Sequence, residues 1–143
     1  MPAPNDSTSL AASPAKGSPS QTHEPVLDRA VMLASVENDL LLLRELVEIF
    51  LAEAPGLLTQ IRNGVKEHLA EPVERNAHSL KGALASFGAR RAFALAQQVE
   101  TRGRESRLEE AAGLLSGLES EVVQACHALS DYLREVNLER APR

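Results

Sequence analysis

The chain has 143 residues, enough for one domain with a substantial core but too few for two domains of ordinary size. Hydrophobic residues make up 43% of it, yet only 3% are aromatic and tryptophan is absent. Leu, Ala and Val must therefore supply the packing, which favours amphipathic helices over a β-sandwich. The net charge of −5 argues against a general nucleic-acid-binding protein, because such a protein needs a concentrated basic surface.

The sequence indicates a cytoplasmic protein that does not insert into a membrane. It contains no run of 18 apolar residues, the minimum for a transmembrane helix. Residues 1–22 lack the apolar segment of a secretory signal. Cys126 is the only cysteine, so an internal disulfide is excluded and a reducing compartment fits.

Composition divides the chain into two parts. Residues 1–24 are rich in Pro, Ala and Ser and carry almost no large apolar residues. Such a segment buries too little surface to offset the entropy of ordering it, so we expect a disordered tail or linker. Residues 25–139 have helical periodicity throughout and form the predicted folded domain.

The first two predicted helices differ in length. A short helix covers residues 26–35, and Asn38 or Asp39 then caps a long helix. Pro55 falls inside the long helix and should kink or interrupt it. The apolar positions of this helix follow steps of three and four, which predicts one buried face. They are Leu40, Leu43, Val47, Phe50, Ala54, Leu57, Ile61 and Val65.

The third predicted helix begins near Glu71-Pro72 and ends at Gly88, a residue suited to a left-handed C-terminal position. Its apolar stripe is Val73, Ala77, Leu80, Leu84 and Phe87. A fourth helix follows over residues 89–102, with Gly103 just past its end.

The last predicted helix has the most regular stripe, although Gly113 and Gly117 weaken it by up to about 1 kcal/mol each relative to Ala. The stripe comprises Leu108, Ala111, Leu115, Leu118, Val122, Ala125, Leu129, Tyr132 and Val136. No strand pattern occurs anywhere in the sequence. Short connections and narrow apolar seams predict an all-α fold: an antiparallel up-down four-helix bundle with a short extra N-terminal helix.

His78 lies on the solvent side of the third predicted helix. At 100° per residue the apolar stripe falls within about 40° of one direction, and His78 points about 140° away. Glu74, Lys81, Gly82 and Ala85 share its side of the helix. Gly82 is unfavourable in a helix interior by about 0.8–1.0 kcal/mol relative to Ala, which makes sense if a large group must approach the backbone beside His78.

The heptapeptide at residues 77–83, Ala-His-Ser-Leu-Lys-Gly-Ala, closely resembles the signature of histidine-containing phosphotransfer (HPt) domains of phosphorelays. Phe87-Gly88 lies where that family turns between its two central helices, and Leu95, Ala96, Val99 and Glu100 follow at the family's spacing. Residues 45–50 with Pro55 look like its first long helix. The resemblance spans residues 26 to about 136. Residues 37–39 and 68–71 depart from the family's usual Gly-Asp turns, away from the motif.

The resemblance implies that His78 takes a phosphoryl group on its distal ring nitrogen, and that Lys81 and Gly82 supply charge and access. A further residue should keep the other ring nitrogen protonated. His78 is ten residues before the turn at Gly88, about 15 Å of helix, and Glu100 is twelve after it, about 18 Å, so the two should lie at nearly the same level. Gln97, one turn earlier, remains an alternative.

These observations lead to a functional hypothesis with one rival. His78 accepts a phosphoryl group from the aspartate of a receiver domain and passes it to another receiver, while the receiver supplies Mg²⁺. The expected docking face surrounds His78 and includes Glu74, Ala85 and Ser86. The rival is a helical adaptor that binds receivers without carrying phosphate.

Several properties of the hypothesis concern what the chain lacks. We expect no cofactor on this chain, because its four histidines show no ligand spacing and it has no cysteine pair. We also expect no ATP-dependent kinase activity, since no Gly-rich phosphate loop is present.

The expected partners are response-regulator receivers, a hybrid sensor histidine kinase, or both. The chain should be monomeric, and the sequence leaves open whether it belongs to a larger hybrid kinase.

Overall fold

The computed structural model describes residues 25–140, with side chains through Val136, and the predicted N-terminal tail lies outside the described residues. This part of the chain forms five helices and no strand. The helices are α1 (Arg29–Ser35), α2 (Leu40–Lys66), α3 (Ala70–Ser86), α4 (Arg90–Arg104) and α5 (Leu108–Arg140).

Helices α2 to α5 form the predicted antiparallel four-helix bundle. Each packs against the next along the chain, and α5 closes the ring by packing against α2, while the short α1 contacts α2 and α3. None of these helices combines the length and apolar character that crossing a bilayer requires. The all-α bundle with a short extra N-terminal helix is therefore confirmed.

The three connections within the bundle share one geometry. Each is three residues long, and its central residue has a positive φ: 60° at His68, 66° at Gly88 and 59° at Ser106. In each, an N–H bonds back five residues to a carbonyl of the preceding helix, as Leu69 does to Gly64 at 2.8 Å. This 6→1 bond satisfies a carbonyl that the helix end would leave unpaired.

Gly88 is required by its surroundings as well as by its φ. A Cβ there would lie 2.5 Å from the Cβ of Asp28 and 3.1 Å from that of Val31. Asp28 also donates its N–H to the Phe87 carbonyl at 3.1 Å and caps α1 through its side chain. The turn after α3 is thus the place where α1 attaches to the bundle.

Most of the predicted stripes face the core. The α3 stripe is fully buried at Val73, Ala77, Leu80 and Leu84. In α2 the prediction is right for most of the stripe and wrong at Leu40, which is 43% exposed in the first turn.

The expected interruption of α2 at Pro55 is wrong. The helix runs without a break from Leu40 to Lys66 with Pro55 inside it, on an exposed position next to buried Ala54. A proline removes one backbone hydrogen bond and crowds the preceding turn. Packing on both sides of Pro55, by Phe50 and Ile61 among others, holds the helix together across this defect.

Some predicted helix ends also need correction. The fourth helix extends past residue 102 to Arg104, and Gly103 lies buried within it rather than beyond its end. A Cβ on Gly103 would come within 2.9 Å of the Glu74 backbone nitrogen, so this glycine allows α4 to approach α3 closely. The first helix begins at Arg29, not at residue 26, because Asp28 caps it, and Asp39 rather than Asn38 caps α2.

Candidate functional site

His78 projects from the middle of α3 into solvent. Its side chain is 67% exposed, although Ala77 beside it is fully buried. The ring lies in an open depression whose walls include Glu71, Glu74 and Ser79 of α3 and Glu100 of α4. An imidazole in this position can meet a large partner without any change in the bundle.

Glu100 of α4 holds one nitrogen of the exposed ring. Its Oε2 lies 2.8 Å from Nδ1 of His78, while its own side chain is only 5% exposed. The similar helix lengths on either side of the Gly88 turn bring the two residues to the same level. Gln97, the other candidate, is exposed one turn earlier on α4.

Lys81 forms an ion pair with the same carboxylate. Its Nζ is 2.7 Å from Oε1 of Glu100, and its side chain is 22% exposed. The lysine is therefore close to the ring but directed at the carboxylate in this unphosphorylated state. A phosphoryl group on His78 would offer it a second, more highly charged partner.

Arg104 is a further member of the site that the sequence reasoning missed. Its Nη2 donates to Oε2 of Glu100 at 3.1 Å, and its Nε donates to Oε2 of Glu74 at 3.1 Å. The Glu74 side chain, expected on the docking face, is thus engaged with α4. The i, i+4 spacing of Glu100 and Arg104 was the available signal, because such pairs meet on a helix surface.

Glu100 remains ionised although it is buried. Burial acts most strongly and by itself would raise its pKa, but hydrogen bonds from Lys81 and His78 and the charges of both residues together lower the pKa below its ordinary value. An ionised carboxylate only accepts hydrogen bonds. Nδ1 of His78 therefore donates its proton to Glu100, and in the neutral ring the other nitrogen, Nε2, carries the lone pair.

The small residues predicted near His78 lie on different sides of α3. Gly82 is exposed, and a Cβ built on it would meet nothing within 4 Å. Ser86 lines a groove of about 250 Å³ between α2 and α3, which we call the α2–α3 groove. Ala85 lines a separate groove bordered by Val31 and Phe93. The expected docking face is therefore divided by the ridge of α3.

The α2–α3 groove was not anticipated in detail. It is lined by Leu46, Ile49, Phe50, Glu53, Leu57, Ser79, Ala83, Ser86 and Phe87. Ile49 is 52% exposed, and Ser79 directly follows His78. Within residues 25–136 no group of three His, Cys, Asp or Glu side chains could hold a metal ion.

The family model of the Hpt domain matches residues 45–125, which include His78, Lys81, Gly82 and Glu100. A search of curated proteins found no match.

Two solved structures share the fold. Histidine-containing phosphotransfer protein B (HptB) from Pseudomonas aeruginosa PAO1 superposes with a TM-score of 0.72 at 20% identity, covering 79% of this chain and 98% of that one. The HPT domain from a sensor hybrid histidine kinase of Shewanella gives a TM-score of 0.69 at 18% identity, covering 77% and 95%. At such low identities these likenesses concern the fold, whereas the family model covers more than half of the chain, including the histidine motif. The chain belongs to the Hpt domain family.

Proposed function

We propose that this Hpt domain is a phosphorelay intermediate in which His78 accepts a phosphoryl group from the aspartate of one receiver domain and passes it to another receiver. One observation carries the proposal: a buried carboxylate lies 2.8 Å from Nδ1 of a histidine whose side chain is 67% exposed. That arrangement assigns the proton of the neutral ring to Nδ1, which leaves the Nε2 lone pair for attack on phosphorus.

The transfer step needs no base on this chain. The Nε2 lone pair of His78 forms a bond to phosphorus, and the P–O bond of the aspartyl phosphate breaks with its electron pair passing to the aspartate carboxylate. The ring keeps its Nδ1 proton and gains positive charge, which Glu100 stabilises across the hydrogen bond. The reverse sequence delivers the phosphoryl group to the next receiver.

Charge on the phosphoryl oxygens has to be neutralised by groups from both partners. On this chain Lys81, which shares the Glu100 carboxylate with His78, is the cation that meets the phosphoryl group. The receiver is expected to supply the acidic pocket and Mg²⁺, and this chain binds no cofactor of its own. Exposed Gly82 leaves room for the receiver backbone to approach His78.

The α2–α3 groove is the proposed receiver docking surface next to the nucleophile. It combines exposed Ile49 with small side chains at Ala83 and Ser86, and Ser79 places one end of it beside His78. Exposed apolar surface of this kind is typical of protein interaction sites. A contact of modest area suits a complex that must form and dissociate at each transfer.

The adaptor hypothesis is not favoured. Binding a receiver requires only a complementary surface, whereas orienting one ring nitrogen of an exposed histidine by a buried carboxylate serves chemistry at the other nitrogen. The partners in the proposal are response-regulator receivers, a hybrid sensor histidine kinase, or both. A cytoplasmic monomer remains part of the proposal.

The experiment is a phosphotransfer assay with receiver domains from the same organism, each phosphorylated on aspartate. Wild-type protein should gain acid-labile phosphate, and His78→Gln should gain none while keeping the wild-type circular dichroism spectrum. Equal binding of a receiver to both proteins without transfer to either would support the adaptor instead.

A second measurement tests the docking surface. Ile49→Glu places a charge in the α2–α3 groove and should slow transfer from a receiver, but not phosphorylation by the small donor phosphoramidate. Val123→Glu is the matched control, because Val123 is similarly exposed, at 47% against 52%, on α5. Equal receiver rates for the two variants would remove the groove from the proposal.

A further inference from the structure

The carboxylate of Glu100 has three donors, and they are not equivalent. Lys81 occupies Oε1, whereas His78 and Arg104 share Oε2 at 2.8 and 3.1 Å. In the proposed function Lys81 has a second task, because it is the cation that would meet the phosphoryl group. When the ammonium group of Lys81 moves toward the phosphoryl oxygens, its hydrogen bond to Oε1 of Glu100 is weakened or lost.

The departure of Lys81 would affect a buried charge. Glu100 is 5% exposed, so that its carboxylate depends mainly on protein groups to compensate its charge. Removing one partner of a buried ion pair is strongly unfavourable because it leaves the remaining charge uncompensated. A second cation on Glu100 prevents this, and Arg104 is that cation.

Glu74, a residue outside the His78–Glu100 pair, holds Arg104 in place. Its guanidinium fork contacts Glu100 on its own helix and Glu74 on α3, one turn before His78. The pair of Arg104 with Glu74 is exposed on both sides, and exposed ion pairs contribute little to stability. The contact with Glu74 is therefore better explained by the orientation of Arg104 toward Glu100 than by stabilisation of the bundle.

We propose that Arg104, held by Glu74, is a positioning residue that keeps the Glu100 carboxylate aligned on Nδ1 of His78 when Lys81 turns toward the phosphoryl group. This inference rests on the proposed function and adds to it a residue that acts through Glu100. Arg104 itself does not contact the reacting nitrogen.

The first test measures phosphorylation by phosphoramidate, which removes receiver docking from the comparison. Arg104→Ala should be about tenfold slower than wild type, at the low end of the effect of losing a residue that orients a functional group. Arg104→Lys should recover part of the rate. Arg107→Ala is the matched control: Arg107 is 52% exposed and also bridges two carboxylates, Glu105 and Glu110, away from the site. It should retain the wild-type rate.

The second test observes the ring directly. Nitrogen-15 chemical shifts of His78 report which nitrogen carries the proton, here in a Lys81→Ala background that imitates the departure of the lysine. The Nδ1–H form should persist in Lys81→Ala and be lost in Lys81→Ala/Arg104→Ala. Glu74→Gln, which frees Arg104 without removing it, should weaken the preference and serves as the test if the double variant unfolds.

The outcomes distinguish a failure of the proposed function from a failure of the role given to Arg104. If wild-type protein takes no phosphate from any donor, the proposed function fails. If wild type is phosphorylated but Arg104→Ala equals Arg107→Ala in rate and in ring protonation, only the positioning role of Arg104 is wrong. A loss confined to transfer from receivers would also overturn it, and would make Arg104 a docking residue.

Discussion

Gly82 offers a substitution with opposite expected effects on stability and function. In Gly82→Ala the new methyl group meets nothing within 4 Å, so that it introduces no steric strain. Alanine is favoured over glycine in a helix interior by about 0.8–1.0 kcal/mol. The free energy of unfolding should rise by that amount, and the melting temperature of a domain of this size by about 4 °C.

The same methyl group should impair transfer. It projects from the exposed face of α3 one turn after His78, where the receiver has to approach. Transfer from a phosphorylated receiver should therefore slow in Gly82→Ala and slow further in Gly82→Leu, whereas phosphorylation by phosphoramidate should remain at the wild-type rate. Urea denaturation gives the stability, and time courses of phosphate on the protein give both rates.

Gly113→Ala is the matched control for this experiment. Gly113 is exposed within α5, and a Cβ there also meets nothing within 4 Å. It should give the same gain in stability and leave both transfer rates unchanged. The reasoning is refuted if Gly82→Ala and Gly82→Leu transfer from receivers as fast as Gly113→Ala, or if both donors are slowed equally.

Three further predictions concern packing, cysteine reactivity and pH. Gly103→Ala should lower the urea midpoint by the equivalent of about 1–3 kcal/mol, because its Cβ would lie 2.9 Å from the Glu74 nitrogen and 3.0 Å from a Val73 methyl; an unchanged midpoint would show that α4 can move away from α3. Burial raises the pKa of the Cys126 thiol, so alkylation at pH 8 should be slower in the native protein than in urea, and equal rates would contradict its half-buried position. The pKa of Glu100 is lowered from 4.5, so its ionisation stabilises the fold fully above that pH. This contribution is lost as the pH falls through the folded-state pKa, and the unfolding free energies of wild type and Glu100→Gln should converge in that range. A constant difference between the two proteins would refute the assignment.

The fold and the position of the nucleophile could be predicted because they depend on local pattern. The stripe of α3 assigns one face to the core, and His78 is on the opposite face whatever the details of packing. The turn at Gly88 follows from the need for a positive φ, and helix lengths on either side of it bring Glu100 to His78. His68 and Ser106 adopt the same turn conformation without glycine, which a preference for glycine could not identify.

Other features depend on tertiary contacts that no local pattern contains. A proline in a helical pattern usually marks a break, but α2 continues through Pro55 because its neighbours are packed. Gly103 resembled a residue just past a helix end, although its actual role is to let two helices approach. Arg104 could be placed near Glu100 by spacing, but its contact with Glu74 depends on how closely α3 and α4 approach.

The energetics of the site favour the relay over the adaptor. A buried ion pair contributes little net stability, and well-packed apolar residues in its place are often as stable or more so. Glu100 is nevertheless buried and ionised beside Lys81 and Arg104, next to a histidine that is itself mostly exposed. A bundle selected only for stability and a binding surface has no use for this arrangement. A nucleophilic Nε2 does use this arrangement, because the ring gains positive charge when the N–P bond forms and Glu100 is already ionised and aligned to stabilise that charge.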